Sequence, residues 1–192
     1  MGPEDHVALI RRGVEGAGPR WLELGAGDGE FTLALAEVLR GRGDLVALDV
    51  DPWALGELVA RLGERFPDTR VDTRTQDFTQ GLPPGPFDGV LAANSLHFAL
   101  DPVPVLAVIR DVLAPDGRLV VVEHEADHAN PYVPHPIPLA RLRTFALAAG
   151  LTEPHRLHGV QSRLMGSIYS AVCERPGGEV LHSRPHGEDR EE

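Results

Sequence analysis

Lysine is absent from this chain of 192 residues, and all 18 basic residues are arginine, against 29 acidic ones. The formal net charge is −11. Binding to a phosphate backbone depends on clustered Lys and Arg. The charge balance therefore argues against a nucleic-acid partner, although a small local basic groove would still be compatible with it.

Cysteine occurs once, at Cys173, so no disulfide can form within the chain. Apolar runs are short, and none approaches the roughly 18 residues that a membrane-spanning helix needs. The first residues, MGPEDHVALIRRG, carry an acidic pair instead of the apolar stretch of a signal peptide. These absences predict a cytoplasmic protein with no membrane partner.

Three glycines within five residues follow a short apolar run near the N-terminus. The stretch WLELGAGDGEFT, residues 21–32, places Gly25, Gly27 and Gly29 between that run and a helix-like apolar repeat that begins at Phe31. This order predicts a strand, a tight turn and a helix. Glycines in such a turn let a ligand approach backbone N–H groups, and the helix N-terminus favours phosphate or carboxylate.

The glycine spacing argues against a dinucleotide. The fingerprint G-x-G-x-x-G would place its third glycine at position 30, which is Glu30. An acidic turn, with Glu23 two residues before Gly25, suits a ligand that carries an ammonium and a sulfonium group. The stretch resembles the first motif of the class I S-adenosylmethionine-dependent methyltransferases, [D/E]-x-G-x-G-x-G.

An acid at the end of the second predicted strand is a candidate ribose ligand. Asp49 lies twenty-four residues after Gly25, near the separation at which an acid accepts from a ribose diol. Asp51 is the competitor, but it precedes Pro52 and is expected to cap the next helix.

The resemblance implies S-adenosylmethionine as the cofactor and extends the site to later strands. Asp77 is then expected at the adenine amino group, Phe78 against the adenine ring, and Asn94 beside the methyl donor. The complete set of implied cofactor contacts is Glu23, Gly25, Ala26, Gly27, Gly29, Asp49, Val50, Asp77, Phe78 and Asn94.

Alternating strand and helix patterns predict an α/β fold with a doubly wound, mainly parallel sheet. The resemblance implies seven strands, helices on both faces and a C-terminal antiparallel hairpin, which is the class I methyltransferase fold. We expect one domain over 1–175, with a leading helix in 1–19, a core in 20–175 and a disordered tail over 176–192. The leading helix either covers the cofactor or packs on the sheet. The segment LAPDGRLVVVEH, residues 113–124, predicts a turn followed by the fifth strand.

The residues after the fourth strand limit the chemistry of the acceptor. Residues 94–97 read NSLH and lack the Asn-Pro-Pro-aromatic signature of enzymes that methylate base or glutamine nitrogens. Cys173 falls in a predicted late strand, which disfavours covalent attack on a pyrimidine. His97 is a candidate general base, with a structural role as the alternative.

A histidine-rich loop follows the fifth strand. Residues 124–128, HEADH, match the zinc-protease signature H-E-x-x-H, which requires a helix. Here the motif follows a β-rich run and precedes Asn130-Pro131, so we predict no metal. The loop is expected to line the acceptor's entrance, with His124 as a second candidate base and Tyr132 and His128 as acceptor contacts. Glu123 and His135 are further polar candidates.

The sequence therefore predicts a methyltransferase acting on a small molecule, with a protein side chain or RNA as less favoured acceptors. One alternative is a non-catalytic protein that binds S-adenosylmethionine or S-adenosylhomocysteine on the same fold. A nicotinamide-dependent oxidoreductase is the third reading, and Glu30 disfavours it.

Overall fold

The computed structural model describes residues 1–161 and 166–177. Its elements in chain order are α1 (Pro3–Val14), β1 (Arg20–Leu24), α2 (Glu30–Val38), β2 (Asp44–Asp49), α3 (Pro52–Arg65), β3 (Arg70–Thr75), β4 (Phe87–Ala93), α4 (Pro102–Val112), β5 (Leu113–His124), α5 (Leu139–Ala148), β6 (His155–Gln161) and β7 (Ser167–Glu174). Short 3₁₀ turns occupy Phe78–Gln80 and Leu96–Phe98.

The seven strands form one sheet in the order β3-β2-β1-β4-β5-β7-β6. Strands β1 to β5 are parallel, whereas β7 lies between β5 and β6 and is antiparallel to both. The predicted doubly wound sheet and its C-terminal hairpin are confirmed. The strand order reverses direction between β1 and β4, which places a crevice at the carboxyl ends of these strands.

Helices cover both faces of the sheet. Leu22 and Leu24 of β1 pack in the core beneath α4 and α5. Trp21, one residue out of phase, packs in the core beneath α1 and α2. Because both faces are covered, β1 and β4 are apolar on both sides apart from Arg20, Glu23 and Asp88.

The leading helix α1 packs on the sheet. Val7, Leu9, Ile10 and Val14 are buried in the same cluster as Trp21. Of the two readings left open by the sequence, the structure favours a helix that contributes to the core.

Two helices begin with the same Asp-Pro pair. The Asp51 carboxylate accepts a hydrogen bond from the backbone N–H of Trp53, 2.9 Å away, at the start of α3. Asp101 accepts from the N–H of Val103 at 3.1 Å at the start of α4. Proline at the first helical position lacks an N–H that would otherwise be unsatisfied there. The prediction that Asp51 is a helix cap is confirmed.

Strand β5 begins earlier than the sequence predicts. Leu113 pairs with Phe87 and Arg118 pairs with Gly89, so the residues 114–117 bulge out between two paired positions. Gly117 lies so close to β4 that an added Cβ would be 2.9 Å from the carbonyl oxygen of Phe87. The expected turn is therefore a bulge within the strand, because the sheet recruits Leu113 on its N-terminal side.

The predicted disordered tail lies outside the described residues from residue 178 onward. Within the described ranges, none of the helices has both the length and the apolar character required to cross a membrane.

Candidate functional site

A cavity of about 300 Å³ lies at the carboxyl edge of the sheet, where the strand order reverses. Doubly wound sheets bind their ligands at this point. The cavity brings together six of the predicted cofactor residues. Its lining consists of Gly25, Asp49, Val50, Gln76, Asp77, Phe78, Thr79, Asn94, Ser95 and Phe98.

The three glycines of the turn after β1 all have positive φ angles, of 67°, 54° and 89°. A Cβ on Gly25 would lie 2.7 Å from the Cβ of Ser95, and one on Gly29 would lie 2.8 Å from the Cγ of Leu58. A Cβ on Gly27 would meet no atom within 4 Å. Gly25 and Gly29 are thus required for packing, whereas the open space beside Gly27 allows a ligand to approach the backbone.

Asp49 holds this turn in place. Its Oδ2 accepts from the backbone N–H of Gly27 at 2.7 Å, and its Oδ1 accepts from the N–H of Asp51 at 2.9 Å. Each carboxylate oxygen has a further lone pair. The half-buried carboxylate is therefore fixed in orientation and can still accept hydrogen bonds from a ligand.

The far side of the cavity is acidic and apolar. One oxygen of Asp77, Oδ1, accepts from the backbone N–H and the hydroxyl of Thr79 at 2.9 and 2.7 Å. Phe78 is buried and forms part of the lining. Val50 is 67% exposed, although it is apolar. An exposed apolar side chain and a buried ring in the same lining are suited to a flat ligand such as adenine.

Two polar atoms on the β4 side of the cavity have no hydrogen-bond partner among the described residues. They are Oδ1 of Asn94 and Oγ of Ser95, and both are buried. Asn94 adopts a φ of 52°, a left-handed conformation that asparagine tolerates better than most residues. Buried acceptors without partners are costly. These two atoms can accept hydrogen bonds from a ligand with donor groups, such as an ammonium.

Glu23 is buried beneath the turn and lies outside the residues that line the cavity. Its Oε2 accepts from the hydroxyl of Thr32 at 2.5 Å. Burial raises the pKa of Glu23 to about 8, and the nearby charge of Asp49 also raises it. Glu23 is therefore mostly neutral at pH 7, and its predicted contact with the cofactor stays a prediction.

Two other acids of the turn are bound by Arg61. Its guanidinium donates to Asp28 Oδ2 at 2.9 Å and to Glu30 Oε1 at 2.7 Å. The hydrogen bond from Arg61 lowers the pKa of the Glu30 carboxyl. His6 of α1 lies 3.2 Å from the other oxygen of Glu30. These contacts connect the turn to α1 and α3, and they direct both acids away from the cavity.

His97 is buried beside the cavity and is paired with a carboxylate. Its Nδ1 lies 2.7 Å from Oε2 of Glu123, and its backbone N–H donates to Oε1 of the same residue at 3.2 Å. The centre of the ring lies 4.5 Å from that of Phe98, tilted by 47°, and Phe98 lines the cavity. The side chain of His97 is 3% exposed and that of Glu123 is fully buried.

The loop after β5 lies next to this pair. The N–H of His135 donates to the carbonyl of His97 at 3.1 Å, and Tyr169 donates through its hydroxyl to the carbonyl of Ile137 at 2.7 Å. The loop is thus tied to the turn that contains His97 and to strand β7 of the sheet. Tyr132 is 80% exposed and His128 is exposed, and neither lines the cavity. Their predicted contacts with an acceptor, and that of half-buried His124, stay predictions.

The histidine-rich motif does not form a helix. His124 ends β5, and residues 125–129 are irregular. Among the described residues, no cluster of three or more His, Cys, Asp or Glu side chains has the arrangement of a metal site.

The chain can be compared with known proteins on this basis. The sequence model of the family described as "Methyltransferase domain" matches residues 22–119, which is half of the chain and includes the glycine turn, Asp49, Asp77 and His97. The chain belongs to this family. It is an S-adenosylmethionine-dependent methyltransferase domain, and the predicted family and cofactor are confirmed.

This methyltransferase domain is 35% identical over 145 residues to the ribosomal protein L11 methyltransferase of Bordetella parapertussis, covering 69% of the chain and 41% of that protein. It is 30% identical over 138 residues to the highly reducing polyketide synthase ltbA of Aspergillus luteorubrus, covering 65% of the chain and 4% of the synthase. The chain therefore spans less than half the length of these relatives.

A solved structure shares the fold of the methyltransferase domain. It is the 1,6-didemethyltoxoflavin-N1-methyltransferase of Burkholderia thailandensis, with bound 1,6-didemethyltoxoflavin and S-adenosylhomocysteine. The TM-score is 0.70 at 21% identity, over 91% of this chain and 78% of that one.

The cavity and the adjoining glycine turn of the methyltransferase domain carry groups whose chemistry fits S-adenosylmethionine. Asn94 and Ser95 provide unsatisfied acceptors for an ammonium group, and Asp49 provides fixed acceptors for hydroxyl groups. The open space beside Gly27 gives the ligand access to the backbone.

Four further residues line the cavity without being among the predicted cofactor contacts: Ser95, Gln76, Thr79 and Phe98. Each is a close neighbour in sequence of a residue that was identified. The signal that could have found Ser95 is its position directly after Asn94, just past the end of β4.

Replacing Gly27 tests whether the open space holds the cofactor. We expect Gly27→Val to abolish binding of S-adenosylhomocysteine in calorimetry, because the branched side chain would fill the space that the ligand needs. The positive φ should cost about 1–2 kcal/mol of stability. The matched control is Gly16→Val, at a φ of 79° with nothing within 4 Å of its Cβ, outside the cavity. Gly16→Val should lose similar stability and keep its affinity for S-adenosylhomocysteine. If Gly27→Val bound S-adenosylhomocysteine normally, the glycine turn would have only a structural role.

The buried acid Glu23 should make stability depend on pH. Its pKa is raised from 4.5 to about 8, so the folded state holds a proton that the unfolded state releases between these values. The resulting stabilisation is complete below about pH 4.5 and is lost as pH rises towards 8, with a slope approaching about 1.4 kcal/mol per pH unit. In urea unfolding at a series of pH values, the difference in stability between the parent and Glu23→Gln should follow this slope. A flat difference would mean that Glu23 is ionised throughout.

Proposed function

We propose that this methyltransferase domain transfers the methyl group of S-adenosylmethionine to a small molecule, with His97 as the base that accepts the acceptor's proton. The observation that carries the proposal is the cavity at the reversal point of the sheet. It combines fixed carboxylates, unsatisfied acceptors and an adjacent buried histidine.

We assign the binding of S-adenosylmethionine to residues at the ends of β1, β2 and β4 and to residues that follow β3. Asp49 accepts from the ribose, Asp77 from the adenine amino group, and Asn94 with Ser95 from the ammonium. Val50 and Phe78 enclose the adenine ring. Bound S-adenosylmethionine supplies an electrophilic methyl group on a positively charged sulfur. Proximity and alignment can provide most of the rate enhancement for such a transfer.

A small acceptor is favoured by charge and by the neighbouring loop. The chain is strongly acidic and has no lysine, which argues against RNA. The loop of residues 125–138 is tied to the sheet and to the turn that contains His97. We assign His124, His128 and Tyr132 of this region to acceptor binding. The structural neighbour that binds 1,6-didemethyltoxoflavin supports an acceptor of this size class.

Folds of this kind host more than one chemistry, so methyl transfer must be measured directly. Titration with S-adenosylmethionine, S-adenosylhomocysteine and NADH by calorimetry distinguishes a methyltransferase, a non-catalytic binding protein and a nicotinamide-dependent oxidoreductase. Binding of the first two with transfer of a labelled methyl group to a small-molecule panel supports the proposal. Binding without any transfer favours a non-catalytic protein, and binding of NADH alone would overturn both.

Asp49 and Asp51 can be distinguished by one pair of variants. Asp49→Ala should weaken binding of S-adenosylhomocysteine by about 1.5–3 kcal/mol, because charge-assisted hydrogen bonds to the ribose are lost. Asp51→Ala removes a helix cap and should lower stability by about 1 kcal/mol without changing affinity. Calorimetry and thermal unfolding measure the two quantities. Unchanged affinity in Asp49→Ala would assign the ribose to another residue.

The acceptor site is tested once a methyl acceptor is found. Tyr132→Ala should raise the Michaelis constant of the acceptor while affinity for the cofactor stays the same. His97→Ala should lower turnover by about tenfold or more, since a positioned base contributes at least that much to many proton transfers. If both variants match the parent, the pocket for the acceptor lies elsewhere.

A further inference from the structure

We infer that Glu123 is the positioning residue of the site: it fixes the ring of His97 in the tautomer that carries its proton on Nδ1 and its free lone pair on Nε2. The inference rests on the proposed function, in which His97 is the base. It concerns a residue that does not itself touch the acceptor.

The geometry that supports it is a double contact between two residues. The two oxygens of Glu123 each face a nitrogen of His97, with Oε1 3.2 Å from the backbone nitrogen and Oε2 2.7 Å from Nδ1. A backbone N–H can only donate, and an ionised carboxylate can only accept. The carboxylate therefore requires Nδ1 to carry the ring proton.

The other ring nitrogen is left available. None of the described residues forms a hydrogen bond with Nε2 of His97. The side chain of His97 keeps 3% of its surface exposed. A neutral imidazole with the proton on Nδ1 can accept a proton only at Nε2.

The backbone contact also makes the inference testable by an isosteric change. In Glu123→Gln, the amide has one oxygen and one NH₂ group at the two former oxygen positions. The backbone N–H of His97 must face the oxygen, because two donors cannot face each other. The NH₂ group then faces Nδ1, which must become an acceptor, and the ring proton moves to Nε2. The same logic explains why an Asp→Asn change in the serine-protease triad gives the wrong tautomer.

Nitrogen-15 NMR of histidine-labelled protein reads the tautomer directly and needs neither cofactor nor acceptor. The signals of His97 are assigned by their loss in His97→Gln. In the neutral ring of the parent, Nδ1 should carry the proton and Nε2 should have the shift of an unprotonated nitrogen. In Glu123→Gln the two assignments should exchange.

Glu125→Gln is the matched control, since it makes the same change two residues further along the chain, where Glu125 accepts from the N–H of Leu139. It should leave the tautomer of His97 unchanged. The inference is overturned if the parent ring carries its proton on Nε2, or if the ring is protonated on both nitrogens at about pH 8. It is also overturned if Glu123→Gln leaves the proton on Nδ1. The spectrum of the parent alone shows whether the ring carries its proton on Nε2 or is protonated on both nitrogens, so these two outcomes can be tested even if the variant does not fold.

Activity separates this inference from the proposed function. With an acceptor in hand, Glu123→Gln should lower turnover about tenfold or more, with the Michaelis constant and the affinity for S-adenosylhomocysteine unchanged. If the tautomer exchanges but both Glu123→Gln and His97→Ala turn over normally, the base role of His97 fails while the control of its ring by Glu123 stands. If the tautomer does not exchange, the inference fails whatever the activity.

Discussion

The carboxylate of Asp49 joins the two turns on which the site depends. Through Gly27 it holds the glycine turn after β1, and through Asp51 it holds the start of α3. The N–H of Gly27 takes its partner from a side chain, whereas the N–H of Gly29 in the same turn donates to the backbone carbonyl of Ala26. Because one side chain serves both turns, the cavity walls keep a fixed separation. A ligand then meets groups that are already oriented, which lowers the entropy lost on binding.

Much of this architecture follows from local sequence. The glycine turn and the Asp-Pro start of α3 are each encoded by neighbouring residues, so the sequence predicts them correctly. The C-terminal hairpin is expected from the resemblance to the methyltransferase family. The first residue of β5 is different, because Leu113 joins the sheet through Phe87, far away in sequence. Local patterns do not contain such pairings. The same holds for the contact of Ser95 with Gly25. This contact explains why position 25 must be glycine, but the two residues are far apart in sequence, so local patterns do not reveal it.

Charges were the least predictable part of the site. Glu23 is predicted from the sequence as a ligand for a cation, yet its burial favours the neutral form, even though the hydrogen bond from Thr32 favours the ionised one. Asp28 and Glu30, which make the turn acidic in sequence, face Arg61. His97 and Glu123 are separated by 26 residues, and only the adjacency of β4 and β5 brings them together. The sign of a local field therefore depends on burial and on partners in neighbouring elements, which composition does not reveal.

The only thiol of the chain is buried in β7, in the interior of the sheet between β5 and β6. Burial raises the pKa of Cys173 to about 12, so the reactive thiolate is scarce at neutral pH in the folded protein. A thiol-specific reagent can reach Cys173 only when the core between the sheet and the helices α4 and α5 opens. The rate of labelling in native conditions thus reports how often this part of the core opens, and the chain contains its own probe of that motion without any engineered site.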